Sequence, residues 1–429
     1  MTDWTERSMV DRGSRSVEGV RAIRGSVLVP GDKSVSHRAL ILGALAKGVT
    51  RVSNLSEGDD VWRTTAAMRA LGVPLERSGT SAVITGTGNE LQEPVLPLDL
   101  GNSGTAMRLL TGVVSGRPFL TVLFGDRSLS SRPMDRVLTP LRTMGAELIA
   151  RRDNFAPVVS MPSRVHGISY PLPVPSAQVK SAVLLAGRQA RETTTVVEST
   201  RTRTHTEDML AEFGANVTVS GTEISVEPGP LRGVDMQVPG DPSQAAFWMV
   251  AAAILGDSHI ELPNVGRWPE RTRFVDVLRR MGASITDTGD GYQVVYSGRL
   301  AATSVAAHEV PSLVDELPVL AVAAAAADGQ SSFLGVGELR HKESDRLSGI
   351  VGLVESLGAR CAVRGDDVFI DGVPEFTPFR SHSAGDHRMA MSAAVAALNA
   401  SGTSTVDDVT CIDTSYPMFF NHFEQVVQP

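Results

Sequence analysis

Seven cationic side chains, Lys33, Arg38, Arg132, Arg203, Lys342, Arg346 and Arg388, are the residues of this chain best placed to hold anions, although the formal net charge is −8. Two half-copies of one motif show why. VPGDKSVSHRALILGAL beginning at Val29 matches VPGDPSQAAFWMVAAAI beginning at Val238, and both read as a tight turn feeding a buried helix. Pro242 of the second copy is matched by Lys33, Ala246 by His37 and Phe247 by Arg38. A helix start carries partial positive charge, so a cation in the first turn is unfavourable unless an anion joins it. Ser34 and Arg38, four apart, share a helix face and can hold the same ligand.

Other segments repeat this logic. GNSGTAMR (101–108) is a Gly/Ser/Thr turn whose backbone N–H groups can approach a phosphate or carboxylate. Arg132 follows the loop GDRSLSS, PSAQVKSA offers Ser176 and Gln178 at another helix mouth, and TRTHTEDM offers Arg203. Capping alone accounts for the Ser and Thr residues, but Gln178 and Arg203 exceed it; His205 reads as a satisfied structural histidine. ELRHKESDRL sets Lys342 and Arg346 four apart, a like-charge helical pair that Glu343 and Asp345 can neutralise. DHRMAMS puts Arg388 at a helix start. Asp315 is either an N-cap or a general base, and with Glu343 it is a candidate proton carrier.

The elements that must position these residues recur. A helix-like segment ending in an apolar residue, then Gly, then a β-type run appears at Gly72, Gly145, Gly214, Gly282 and Gly358, about 70 residues apart, the mark of a repeated supersecondary unit. Six segments rich in small apolar residues alternate with these: Ser36 to Ala46, Gly104 to Val114, Gln178 to Ala186, Gln244 to Leu255, Leu317 to Ala327 and Met389 to Leu398. Apolar all round, they read as buried helices. The two PGD turns mark chain crossovers, predicting a central domain over 32–240, a discontinuous domain of 1–31 plus 241–429, and ligands in the cleft between them.

Composition narrows the function. With 42% hydrophobic and 21% charged residues the chain can build more than one core. Its acidic balance disfavours nucleic acid, and the apolar run Leu317 to Ala327 falls short of the ~20 residues of a membrane span. Cys361 and Cys411 form no disulfide or zinc pattern, which suits a reducing, cytoplasmic setting. The polar stretch 1–19 is expected to be a loose leader.

From about Arg21 onward, PGDKSVSHRA, LGNSGTAMR, SLSSRPM, PSAQVKSA, TRTHTE, VDELPVLA, RHKESDRL, DHRMAMS and DTSYPMFF resemble, in order and in register, the 5-enolpyruvylshikimate-3-phosphate synthase family. The resemblance implies an α/β (α+β) fold of two similar domains, each of three βαβαββ repeats. It implies transfer of the enolpyruvyl group of phosphoenolpyruvate to shikimate 3-phosphate in chorismate and aromatic amino acid biosynthesis, through a tetrahedral intermediate. Shikimate 3-phosphate would be held by Lys33, Ser34, Arg38, Ser176, Ala177, Gln178, Arg203, Asp315 and Lys342. Phosphoenolpyruvate would be held by Lys33, Gly104, Arg132, Gln178, Glu343, Arg346 and Arg388. Glu343 would be the acid, Asp315 the base and Lys342 their electrostatic partner.

No metal or organic cofactor, and no nucleic-acid or membrane partner, is implied, and a monomer is expected. Thr414 stands where many members carry Lys, as in the bacterial class II branch. Gly104 stands where some glyphosate-tolerant members carry Ala, so glyphosate is expected to compete with phosphoenolpyruvate. The alternative, a UDP-N-acetylglucosamine enolpyruvyl transferase, usually has Lys-Asn at the place of Lys33-Ser34 and Cys before the Arg matching Arg132. Neither is present here. A paralogue with another hydroxyl acceptor is disfavoured by the retained binding residues.

Overall fold

A computed structural model describes residues 13–428 of the chain. Among them run α1 (Lys33–Leu45), α2 (Asp59–Ala70), α3 (Gly104–Val114), α4 (Asp135–Thr143), α5 (Ala177–Gly187), α6 (His205–Glu212), α7 (Pro242–Ile254), α8 (Pro269–Arg280), α9 (Leu317–Ala326), α10 (Arg346–Ser356), α11 (His387–Leu398) and α12 (Phe419–Val426). The odd-numbered helices are the apolar segments read from the sequence. In α9, LPVLAVAAAA, every residue is buried, because it has no polar face and its Ala and Leu residues favour the helix.

Each buried helix belongs to one repeat, seen plainly in three copies. Ser169–Pro171 lies parallel to Thr194–Val197, which pairs antiparallel with Glu223–Val226, itself antiparallel to Val217–Ser220. The same order joins Leu98–Asp99, Thr121–Phe124, Phe155–Ser160 and Leu148–Arg151, and again Ser304–Val305, Gln330–Phe333, Asp367–Asp371 and Arg360–Arg364. The buried helix forms the crossover that parallel neighbours require, and the outer helix precedes the hairpin. Gly72, Gly145, Gly214, Gly282 and Gly358 end the outer helices at φ between +84° and +96°, where a Cβ would be strained. A sixth such glycine is missing because α12 runs straight into Val427–Gln428, which pairs with Ala22–Ser26.

Repeats at the crossovers borrow strands. Ala46–Ser53 takes its parallel neighbours Leu231–Arg232 and Asp235–Gln237 from nearly 200 positions away in sequence. Ser14–Glu18 pairs antiparallel with Thr403–Asp407, filling the slot that a hairpin strand holds in other copies. The expected loose leader is therefore corrected at its end: residues 14–18 are sheet, because the last repeat has an open edge to fill. Residues 1–12 lie outside the described residues.

The contacts divide the chain into a middle unit, Pro30–Pro242 with Gly266–Arg271, and a terminal unit made of the described residues up to Val29, Ser243–Val265 and those from Thr272 onward. Each has its own apolar core. Gly266–Arg271 departs from the sequence boundaries, and Arg271 supplies the reason. Its Nη2 reaches Asp32 Oδ2 at 3.0 Å and Asp241 Oδ1 at 2.5 Å, with all three side chains buried. The two PGD turns bridge through Gly31 and Gly240, with Asp32 N–H donating to Pro239 O and Asp241 N–H to Pro30 O. A Cβ on Gly31 would sit 1.7 Å from Asn54 O, so only glycine permits this approach. Among the described residues no helix is long and apolar enough to cross a membrane.

Two buried histidines lie in the middle unit. His37 Nδ1 meets Thr64 Oγ1 at 2.7 Å. His205, expected to be satisfied, has no hydrogen-bond partner among the described residues at either ring nitrogen and meets Trp268 edge-on at 4.5 Å between centroids. Burial, reinforced by nearby cations, holds both well below the usual 6.5.

Two tests follow from this packing. Arg271→Met leaves two buried aspartates uncompensated and should cost about 3–5 kcal/mol in urea unfolding of the middle unit; a cost under about 1 kcal/mol would contradict the role assigned to Arg271. Because the folded chain keeps both imidazoles neutral, the unfolded chain binds more protons below pH 6.5. Stability should be complete above that pH and fall beneath it, with His205→Phe making the decline shallower; an unchanged slope would refute the neutral burial of His205.

Candidate functional site

In the middle unit the candidates stand at the starts of α1, α3 and α5. Asp32 caps α1 by accepting Val35 N–H at 2.8 Å, which frees the first turn to present Lys33. Lys33 Nζ lies 3.2 Å from Asp60 Oδ2. Arg38, one turn further, is 4% exposed. Its Nε donates to Thr206 Oγ1 at 2.6 Å, Nη2 to Ser181 Oγ at 2.7 Å and Nη1 to the Ser34 carbonyl at 2.9 Å. Burial brings its pKa down to about 10, with Asp32 and Glu207 only partly offsetting that cost. No carboxylate among the described residues lies within ion-pair distance of Arg38, and three bonds leave two of its five N–H donors for a ligand.

At the start of α3, Ser103 caps the helix through Ala106 N–H. A Cβ on Gly104 would stand 2.5 Å from Arg108 Nη1 and 3.2 Å from Arg132 Nη1, so two guanidinium groups converge on a position without a side chain. Arg132 is held by Asn102 Oδ1 and, at 3.3 Å, by Ser128 Oγ. Gln178 Nε2 donates to Thr105 Oγ1 at 3.1 Å, tying the start of α5 to that of α3. Ser176 caps α5 by accepting Val179 N–H at 3.4 Å, and Ala177 is the first residue of that helix. Arg203 is half-buried in the turn before α6, close enough for its charge to act on Arg38.

A buried ion triad steadies that turn. Lys180 Nζ lies 3.0 Å from Glu198 Oε2 and 2.7 Å from Glu207 Oε1, and Glu198 also accepts from the Thr202 N–H and hydroxyl. Burial raises the Glu207 carboxyl above its ordinary value against the pull of Lys180.

The terminal unit gathers a different set. Arg346, the first residue of α10 and 1% exposed, places Nε 2.8 Å from Asp386 Oδ2, Nη1 3.3 Å from Asp315 Oδ1 and Nη2 2.5 Å from Glu343 Oε2. Burial alone would make this guanidinium easier to deprotonate, but the three carboxylates raise it above its ordinary value. Arg388 Nη1 donates to the Asp315 carbonyl at 2.9 Å and its Nε lies 3.7 Å from Asp315 Oδ1. Asp315 thus faces the arginines, while Glu316 occupies the N-cap position of α9 without a side-chain cap bond.

One sequence expectation changes here. Lys342 precedes α10 and pairs with Glu338 at 2.7 Å, so it is neither on one helix with Arg346 nor in the Arg346 cluster. Thr414 donates to Cys411 O within Val409–Thr414. Sequence reasoning missed Asp386, a fully buried hub that caps α11 through Arg388 N–H and binds both Arg346 and Ser344. Its place before a helix was the available signal; nothing marked Thr206, Ser181 or Asp60.

The model of the family described as EPSP synthase (3-phosphoshikimate 1-carboxyvinyltransferase) matches residues 17–423. The 3-phosphoshikimate 1-carboxyvinyltransferase of Desulforudis audaxviator is 46% identical over 411 residues, covering 93% of this chain and 96% of that one. The enzyme of the same name from Shouchella clausii is 42% identical over 415 residues, covering 94% and 96%. Among solved structures, an EPSP synthase from Acinetobacter baumannii superposes with a TM-score of 0.84 at 39% identity, covering 96% of this chain and 98% of that one. The enolpyruvyl transferase NikO of Streptomyces tendae, at 20% identity and a TM-score of 0.80 with 96% of each chain covered, shares the fold. With nearly the whole chain matched by profile, sequence and structure alike, this protein belongs to the EPSP synthase family, the 3-phosphoshikimate 1-carboxyvinyltransferases.

Proposed function

We propose that this chain transfers the enolpyruvyl group of phosphoenolpyruvate to the 5-hydroxyl of shikimate 3-phosphate, releasing phosphate, and that it acts as a cytoplasmic monomer. The observation that carries the chemistry is the Arg346 guanidinium, which touches both candidate proton carriers, Asp315 and Glu343. Shikimate 3-phosphate is assigned to Lys33, Ser34, Arg38, Ser176, the Ala177 backbone, Gln178 and Arg203, with Asp315 and Lys342. The two remaining donors of Arg38 and the N–H groups at the start of α5 suit a phosphate or hydroxyl oxygen. Phosphoenolpyruvate is assigned to Lys33, Gly104, Arg132, Gln178, Glu343, Arg346 and Arg388.

Four bonds to carboxylates leave Arg346 one donor, so its larger part is to orient Asp315 and Glu343. In the addition step Glu343 gives a proton to the methylene carbon of phosphoenolpyruvate while Asp315 takes one from the attacking hydroxyl, forming the new C–O bond of a tetrahedral intermediate. In elimination the methyl group returns a proton to Glu343, the C–O bond to phosphate breaks, and the proton held by Asp315 leaves with the phosphate, restoring both carboxyl groups. Both transfers use side chains, and no metal or organic cofactor is required by this scheme.

The direct test is to incubate the protein with both substrates and follow phosphate and enol ether. One phosphate per enol ether is expected, with no turnover when UDP-N-acetylglucosamine replaces shikimate 3-phosphate; phosphate release without enol ether would refute the reading. Glu343→Gln should lower kcat by about 10²–10⁴ with little change in the phosphoenolpyruvate KM, and a kcat near wild type would remove Glu343 as the acid. Gly104→Ala pushes a methyl group toward Arg108 and Arg132. It should raise the phosphoenolpyruvate KM and weaken competition by glyphosate while leaving the shikimate 3-phosphate KM unchanged; an equal rise in both KM values would contradict the assignment of Gly104.

A further inference from the structure

At the ends of α1, α3 and α5 opposite the candidate residues, the middle unit has a cavity of about 310 Å³ lined by Lys47, Gly88, Asn89, Arg188, Gln189 and Gly229. Arg188 is 3% exposed and Arg117, behind Asn89, is 4% exposed. Their partners are all neutral. Arg188 Nη2 donates to Asn89 Oδ1 at 2.5 Å and Nη1 to Gly229 O at 3.2 Å. Arg117 donates to Val113 O at 3.0 Å, Asn89 O at 2.6 Å and Asn89 Oδ1 at 3.2 Å. Arg188 Nε is buried with no partner, and the Lys47 side chain, exposed at the rim, has none among the described residues.

Buried charges in folded proteins are paired, and here no carboxylate of the described residues forms an ion pair with Arg117, Arg188 or Lys47. Helix ends offer partial compensation. Three C-termini at about −0.5 elementary charge each fall short of the two buried guanidinium charges, before exposed Lys47 adds its own at the rim. Gln189 already donates to the carbonyls of Gly112, Val113 and Ser115, so the end of α3 is well supplied with donors without further help. Burial brings Arg117 down to about 9, with Arg188 adding to the effect, and Arg188 to about 10.

We infer that this cavity is a second anion site, built for a small oxyanion of the phosphate or carboxylate type and held by Lys47, Arg188 and Asn89. It is separate from the candidate substrate residues, since α1 alone places about 18 Å between Lys33 and the cavity at 1.5 Å per residue.

The test uses the full-length protein, with sulfate and malonate as probes at constant ionic strength and melting temperature as the readout. A saturable rise is expected for wild type and for Lys33→Ala. Lys47→Glu and Arg188→Met should weaken the midpoint concentration about tenfold or more, a change of about 1.4 kcal/mol. Lys47 is exposed, so Lys47→Glu should fold and keep kcat and both KM values within about twofold of wild type without the probe. A tighter midpoint for sulfate assigns the ligand to phosphate compounds and a tighter one for malonate to carboxylates. If Lys47→Glu titrates as wild type does, or if Lys33→Ala alone abolishes the response, there is no second site.

Discussion

A charge removed from water must be met by another charge or by enough hydrogen bonds, and this constraint organises both units. The terminal unit meets it by excess: three carboxylates surround Arg346, and one of them, Asp386, is itself fixed as the cap of α11. The middle unit meets it by hydroxyls and carbonyls around Arg38. One arrangement therefore gathers carboxylates around a buried cation, and the other holds a buried cation with neutral partners. The difference follows from which side chains each repeat places at the start of its buried helix.

The repeat itself makes that placement possible. An all-apolar helix such as α9 can be moved from copy to copy without disturbing its surroundings, whereas its first turn is where backbone N–H groups and side chains meet. Chemistry can thus vary at six helix starts while the sheets of the described residues keep variants of one strand order. The cost is a set of buried ion clusters, Lys180 with Glu198 and Glu207, and Arg271 with Asp32 and Asp241. Such clusters add little net stability but penalise any packing that separates their members.

Much of this was legible in the chain. Five glycines announced the left-handed ends of the outer helices, and the contrast between Lys33 and Pro242 marked which half-copy carried charge. What remained hidden was tertiary. Arg38 is anchored by Ser181 and Thr206, 143 and 168 positions away, and hydroxyl residues of that kind carry no local signal. Asp386 reaches Arg346 across 40 positions. Ser14–Glu18 looked like a leader because an edge strand of five residues has no periodicity to reveal it, and only its pairing with Thr403–Asp407 gives it a place. Lys342 looked like the next turn of a helix that in fact begins at Arg346.

Lys33, Arg38 and Arg203 have a purpose in the middle unit only if it recognises a phosphate rather than a ring of hydroxyls. Melting curves at equal concentrations of shikimate 3-phosphate and shikimate read this directly, because stabilisation grows with the logarithm of ligand concentration over Kd. A clear rise with the phosphorylated compound and little or none with shikimate is the predicted result. Equal shifts from the two would mean that Lys33, Arg38 and Arg203 do not bind the phosphate, and the assignment of these cations would be wrong.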